Sequence, residues 1–291
     1  MKLSKVSVIG IGVGAIAIGV YVGVNIYTSK VAEAKINEFI DDIDDEMIIE
    51  YGSVSANPFK SDVVIKDIRV APIDAPEDTI NVDRVVIREL ENGDEFPTVL
   101  DASAYGIDLS DEKIAPPGFS SFLQQAGYDE PPSFDLDTKY EYQEASGKVV
   151  LETFRFGADD FGYLEASFEF GNVDPEAVSN DDLILHAAEI SYQDDSFVEK
   201  LFESMAAQSN QDVAQFKAQL QDNLTQNAQF FISSEDPVAM TALEETMAFI
   251  ENPEGFSISV DPQQPVSVEL LSPTSNPADL AEMLNLTIES Y

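Results

Sequence analysis

Residues 163 to 170 read Tyr163-Leu164-Glu165-Ala166-Ser167-Phe168-Glu169-Phe170, with an apolar residue at every second position from Leu164 and a polar one between. Successive side chains of a strand point to opposite faces, so the stretch predicts a strand with one apolar face and one wet face. Its neighbours repeat the pattern, with Phe134 to Tyr142 and Lys148 to Phe156 before it and Leu183 to Tyr192 after it. Turns at Ala145-Ser146-Gly147 and Asp159-Asp160-Phe161-Gly162 join the first three, which makes them consecutive antiparallel strands.

Working towards the amino terminus, residues 110 to 133 hold Pro116-Pro117-Gly118 and Pro131-Pro132 around the short apolar piece Phe119 to Leu123. That composition predicts a loop or lid with one helical turn. Before it lie four more predicted strands: Ile48 to Ser53, Val63 to Val70, Ile80 to Leu90 and Val99 to Leu109. Asn57-Pro58, Ala71-Pro72 and Asn92-Gly93 break them apart. Ile65, Ile68 and Val70, then Ile80, Val82, Val85 and Ile87, come near alternation with charged neighbours, as in a sheet covered on one face.

Beyond residue 193 the period becomes helical. Ser196 and Glu199 stand at capping-box spacing ahead of the stripe Val198, Leu201, Phe202 and Met205. Val213, Phe216, Leu220 and Leu224 form a second stripe. Asp236-Pro237 and Asn276-Pro277 are N-cap and first-turn pairs, the former leading Met240, Leu243, Met247 and Ile250, the latter Leu280 and Met283. Short strands are predicted at Gly255 to Val260, Val266 to Leu271 and Leu284 to Ile288, so the helices are expected on the end or open face of the sheet.

The other end of the chain sets its compartment. No charged side chain falls between Lys5 and Lys30, and an uncharged helix over 6–28, rising about 1.5 Å per residue, crosses a hydrocarbon core of about 30 Å. A cleavable signal peptide is the competing reading, because Ala32-Glu33-Ala34 offers a cleavage site; the apolar stretch exceeds the usual h-region. Lys2 and Lys5 keep the amino terminus cytoplasmic and send the bulk of the chain across. Gly12, Ala15, Gly19 and Gly23 share one helix face, a surface suited to self-association or to another membrane helix. Val31, Ile36, Phe39, Ile40, Ile43 and Met47 then mark an amphipathic juxtamembrane helix. Its run Asp41 to Glu46 lacks the glycine and spacing of a calcium loop and reads as a solvated face.

Composition narrows the function. The 291 residues contain no cysteine, which excludes thiol catalysis and disulfides. Acidic residues number 55 against 15 basic, a net charge of −40, and such a surface repels nucleic acid and anionic headgroups. Solubility in a salty compartment accounts for the excess more simply than a cation site. The single histidine, His186, lies in a predicted strand, where a local hydrogen bond is the expected role. Asp159-Asp160, Asp181-Asp182 and Asp194-Asp195 fall at turns or helix starts, where aspartate caps backbone amides. Walker A, G-x-G-x-x-G, G-x-S-x-G and H-E-x-x-H patterns are absent from the sequence, and Gly10-Ile-Gly12-Val-Gly14 lies inside the span. The reading is therefore of a protein that is not an enzyme, with no catalytic, cofactor-binding or metal-ligating residue.

The stretches Tyr140-Glu-Tyr142, Ser146 to Leu151, Phe154-Arg-Phe156 and Asp160 to Ala166 resemble a strand pattern of membrane-anchored bacterial envelope proteins of the AsmA-like and DUF945-like kind. The anchor followed by Val54 to Phe59 and Val64 to Ile68 is similar in layout, as are Ile190 to Asp194, Phe249 to Pro253 and Gly255 to Ile258. The resemblance implies a periplasmic sheet curved into a groove and tethered to the inner membrane, in a group linked to envelope maintenance and, in some members, lipid traffic. It transfers no functional residue.

The expected fold is thus α+β: a transmembrane helix, then a mainly antiparallel curved sheet with a carboxy-terminal helical segment packed on it. Its divisions are 1–28 for the cytoplasmic tip and anchor, 29–46 for the juxtamembrane helix, 47–192 for the sheet, and 193–291 for the helices with short closing strands. Two functions fit. One is a binding module for lipid or another hydrophobic ligand, since a sheet with one apolar face flanked by helices holds acyl chains where a core would otherwise lie. The other is a scaffold that holds a protein partner at the inner membrane without a ligand.

Overall fold

In the computed structural model of the chain, the residues described are Lys30, Glu33, Ile36, Asn37, 47–57, 62–92, 97–111, 115, 118–173, 182–229, 237–271 and 277–291. The membrane span expected over 6–28, with Gly12, Ala15, Gly19 and Gly23, lies outside them. So do most of the juxtamembrane helix, Pro58, Gly93, Pro116, Pro117, Asp181, Asp236 and Asn276. Among the described residues no helix is long and apolar enough to cross a membrane. Lys30, Glu33, Ile36 and Asn37 are helical; Ile36 is buried, and the Tyr51 hydroxyl donates to Asn37 Oδ1 at 2.7 Å.

The chain is α+β with a mostly antiparallel sheet. Its strands are β1 (Met47–Glu50), β2 (Ser53–Ala56), β3 (Val63–Pro72), β4 (Ile80–Asn92), β5 (Pro97–Asp108), β6 (Phe134–Gln143), β7 (Lys148–Ala158), β8 (Gly162–Gly171), β9 (Ile184–Asp194), β10 (Gly255–Val260), β11 (Val266–Ser267) and β12 (Leu286–Ser290). The helices are α1 (Phe119–Gln125), α2 (Phe197–Gln208), α3 (Val213–Asn227), α4 (Pro237–Glu251) and α5 (Pro277–Leu284). Strands follow the order β1-β3-β4-β5-β6-β7-β8-β9-β10-β12, with β2 beside β3 and β11 beside β9. The strand expected over Val266 to Leu271 stops at Ser267 and continues as a 3-10 turn over Val268–Leu271. Leu284, expected to begin the last strand, ends α5 instead. The chain divides into two compact units, one reaching Gln124 with Tyr128–Tyr142 and Glu152–Ala158, the other made chiefly of Asp159–Tyr291.

In the first unit the imperfect alternation of the sequence has a geometric cause. Ile65 and Ile68, Val82 and Val85, and Ala104 and Ile107 are all buried, yet residues three apart on a regular strand face opposite ways. The pleat is reset between each pair, and at the same place in each strand. Asp67 (φ 56°) and Gly106 (φ 72°) adopt left-handed backbone, while Lys66↔Arg84 with Ile68↔Val82, and Val82↔Ile107 with Arg84↔Tyr105, put Asp67 opposite Asp83 and Asp83 opposite Gly106. The edge breaks on the same line: β1 and β2 keep one register on β3 but part at Tyr51-Gly52, where a Cβ on Gly52 would lie 2.7 Å from Asp67 Oδ2. The expected strand over Ile48 to Ser53 is split for that reason.

Strand β6 carries no such reset. The mismatch surfaces as a bulge, with Ala104 opposite Leu136 but Ile107 opposite Phe134, and the Gly106 amide donates to Asp135 Oδ1 at 3.0 Å. One apolar face is thereby kept buried across the crease, from Val63, Ile65, Ile68 and Val70 to Phe134 and Leu136. Leu123 of α1 is buried as well, and Phe134 stacks on Phe156 at 5.1 Å between ring centres. The other face is polar. Arg84 lies 4.2 Å over the Tyr105 ring, Arg88 bridges Asp101 and the Tyr105 hydroxyl, Lys139 pairs with Glu152, and the Ser103 hydroxyl donates to Asp137.

Candidate functional site

The second unit contains an exposed apolar surface that strand register builds. Ala166 pairs with Ile190, Ile190 with Ile258, and Ile258 with Ile288. Directly opposed residues of antiparallel strands share a face, so these four side chains cross β8, β9, β10 and β12 as one row. The row on one side is Leu164, Tyr192, Phe256 and Ser290; the row on the other is Phe168, Ala188, Val260 and Leu286. The reverse face pairs Glu165 with Ser191, Ser191 with Ser257, and Ser257 with Glu289. One face is apolar and the other wet, as the alternation over 163–170 implies.

Helices α2 to α4 cover the Tyr192 end of the apolar face, while α5 leads into β12 at the Leu286 end, the Asp261 amide donating to the Leu284 carbonyl at 3.0 Å. Phe249 of α4 meets Tyr192 at 6.5 Å and Phe256 at 6.1 Å between ring centres. Behind it Val198, Phe202 and Ile250 form a small core with Phe216, Leu220 and Leu224 of α3 packed on it. The Glu245 carboxylate accepts from both the amide and the hydroxyl of Ser290, each at 2.8 Å, and these two donors hold its pKa below the usual value. One row further along the strands, Ile190 and Ile258 are open to solvent. Ile190 is 57% exposed and Ile258 42%, with Leu164 at 43% beside Tyr192.

The junction that places α2 differs from the capping box expected at Ser196. The Ser196 hydroxyl makes no cap; it donates to the Asp160 carbonyl at 2.6 Å. Asp194 takes over, its Oδ1 accepting from the Val198 amide at 3.0 Å and the Tyr192 hydroxyl at 2.6 Å. Burial pushes the Asp194 carboxyl above its ordinary pKa, opposed by those two donors. Asp195 accepts from the Asp160 amide, and Tyr163 donates to Asp159, each at 2.8 Å. These two Asp pairs therefore tie a turn to a helix start. On α3 the cap is regular, Asp212 accepting from the Gln215 amide at 2.8 Å.

His186 is the extra residue of a bulge in β9, where the register with β8 shifts between Glu169 and Phe170. Its Nδ1 lies 3.5 Å from Glu169 Oε1, which Lys148 also meets at 2.9 Å. All three are about one-third exposed and lie away from the apolar rows. Among the described residues no group of three His, Cys, Asp or Glu side chains is arranged to hold a metal ion. In the first unit a shallow groove of about 500 Å³ runs along the crease, lined by Glu50, Asp67, Arg69, Asn81 and Asp83 among others. Its polar walls suit water better than hydrocarbon.

The sequence alternation placed Leu164 and Ala166 on an apolar face and put Ile190 and Ile258 in expected strands, but it did not show that these side chains share one exposed face. Ile190 and Ile258 are 68 residues apart in the chain, and register alone joins them. Comparison with known proteins bears on the same unit. A family model described only as "Uncharacterized protein" matches residues 155–290, from the end of β7 to the last residue of β12. No curated protein matches the chain.

Proposed function

We propose that the chain is a membrane-tethered extracytoplasmic protein of the bacterial envelope that holds lipid or another hydrophobic ligand against the apolar rows of β8, β9, β10 and β12. The observation that carries this reading is the exposure of Ile190 and Ile258, directly paired across β9 and β10, with exposed Leu164 one row away and packed helices beyond it. Strands lie about 4.8 Å apart and rise about 3.4 Å per residue, so the two rows beyond Phe249 make a strip about 14 Å across the strands and about 7 Å along them. That area suits one or two acyl segments. Burying Ile190 and Ile258 under hydrocarbon is worth about 1 kcal/mol each, given how exposed they are. The uncharged stretch over 6–28 supports the tether, and the envelope setting rests on the resemblance of the strand pattern to AsmA-like and DUF945-like proteins.

Native mass spectrometry of the detergent-extracted full chain tests the reading, with wild type beside an Ile190→Ser/Ile258→Ser double variant. Both positions are exposed, so the substitutions leave the fold intact. The wild type is expected to retain a lipid that the variant releases. A lipid-free wild type that takes up no added phospholipid refutes the proposal, and so does equal retention by the variant, which places the lipid elsewhere.

A further inference from the structure

The apolar strip lies in the most acidic part of an acidic chain: residues 159–291 hold 26 acidic side chains and only 2 basic ones, Lys200 and Lys217. Lys217 is already committed, its Nζ donating to the Glu251 carbonyl at 2.9 Å and sitting 5.6 Å over the Phe202 ring. Lys148, the other lysine of this unit, pairs with Glu169 at 2.9 Å on the polar face of β8. Carboxylates stand at both ends of the strip instead. Asp194 and Glu245 hold the end at Tyr192 and Ser290, and Asp261 follows Val260 at the other.

We infer that this face takes the hydrocarbon of a lipid whose head carries no net negative charge, neutral or zwitterionic, and discriminates against anionic lipids. The inference rests on the hydrophobe-binding reading above and names its ligand class. A strip about 7 Å along the strands leaves any headgroup at its margin within about one Debye length of those carboxylates at 0.1 M salt. An anionic head meets repulsion from either end, and the lysines described in this unit already have partners; a bare fatty-acid carboxylate fares the same way. A zwitterionic head turns its ammonium towards the carboxylates and keeps its phosphate in water. Clefts of one charge sign change local ligand concentration by about tenfold or more at low ionic strength, and that sets the expected selectivity.

The test uses the full chain in maltoside micelles doped with phosphatidylcholine or, separately, phosphatidylglycerol, each with a diazirine in the acyl chain. After photolysis, labelled peptides are mapped, so lipid around a membrane helix is counted apart from lipid on β8, β9 and β10. Phosphatidylcholine is expected to label these strands about tenfold more than phosphatidylglycerol in 20 mM salt, with the ratio collapsing in 1 M salt, where the Debye length is about 3 Å. The Ile190→Ser/Ile258→Ser variant is expected to lose the strand label and keep any label elsewhere. Equal or stronger labelling of the strands by phosphatidylglycerol at low salt overturns the headgroup inference and leaves the binding face standing. No label on these strands from either lipid overturns both.

Discussion

Gly106→Ala tests whether the crease of the first unit is built into the fold. The residue sits at φ 72°, where a side chain costs about 1–2 kcal/mol. A methyl there also runs into Asp83, whose carboxylate lies within clash distance and whose Cβ would be 2.7 Å away. Relieving that overlap by shifting β4 against β5 costs about 1–3 kcal/mol more, so a total loss of about 2–5 kcal/mol is expected. Trimming the neighbour separates the two terms: Asp83→Gly in the Gly106→Ala background recovers the steric share and leaves the backbone share. Asp67→Gly on the same line is expected to be neutral or mildly stabilising, because glycine accepts the φ of 56° that aspartate adopts there. The assay is native-state hydrogen exchange of the full chain, read on the amides of β4 and β5. Wild-type protection in Gly106→Ala, or no recovery in the double variant, refutes the account.

Phe202→Ala removes a 7% exposed ring that meets Phe216 at 6.0 Å; a loss of about 3–5 kcal/mol is expected, read as faster exchange in α2 and α3 with β3 to β5 unchanged. Asp194→Asn keeps an acceptor for the Val198 amide and removes a half-buried charge, and asparagine caps as well as aspartate. Because burial raises the folded-state pKa of Asp194, its ionised form weakens the fold at neutral pH, and protonation lifts that penalty as pH falls. The variant is therefore expected to equal or exceed wild type in urea midpoint at pH 7, with the gap closing as pH is lowered; a less stable variant at pH 7 contradicts this. Glu245 has the opposite sign, its lowered pKa supplying stability above the unfolded value that is lost as pH falls through the folded one. Acidification is thus expected to free the Ser290 amide for exchange in wild type but to change it little in Glu245→Gln.

How much of this was legible in the sequence depends on whether a property is local. Strand positions were, because alternation such as Leu164 to Phe170 is a property of one segment. The crease was half visible: the three-residue steps Ile65 to Ile68 and Val82 to Val85 are in plain sight, but they read as poor alternation until register aligns Asp67, Asp83 and Gly106. The cap of α2 was misplaced by two residues, since Ser196 matches the capping box in sequence while Asp194 has the geometry.

The uncovered row follows from a connection that is also local, although its consequence is not. Only Asp195 and Ser196 separate the last residue of β9 from the first of α2, so the helix turns back immediately beyond the strand end. The core it shares with α3 and α4 must then lie over the nearest inward-facing residue, which is Tyr192. Ile190 is about 6.7 Å further along the strand. The cover offered by Phe249 lies at Tyr192 and Phe256, and α4 ends two residues later at Glu251. Had the sheet needed closing throughout, a longer β9–α2 connection would have let the helices slide along the strands, at a cost of only about 0.6 kcal/mol per doubling of loop length. The short connection confines α2, and the core it shares with α3 and α4, to the Tyr192 end and leaves Ile190 and Ile258 exposed.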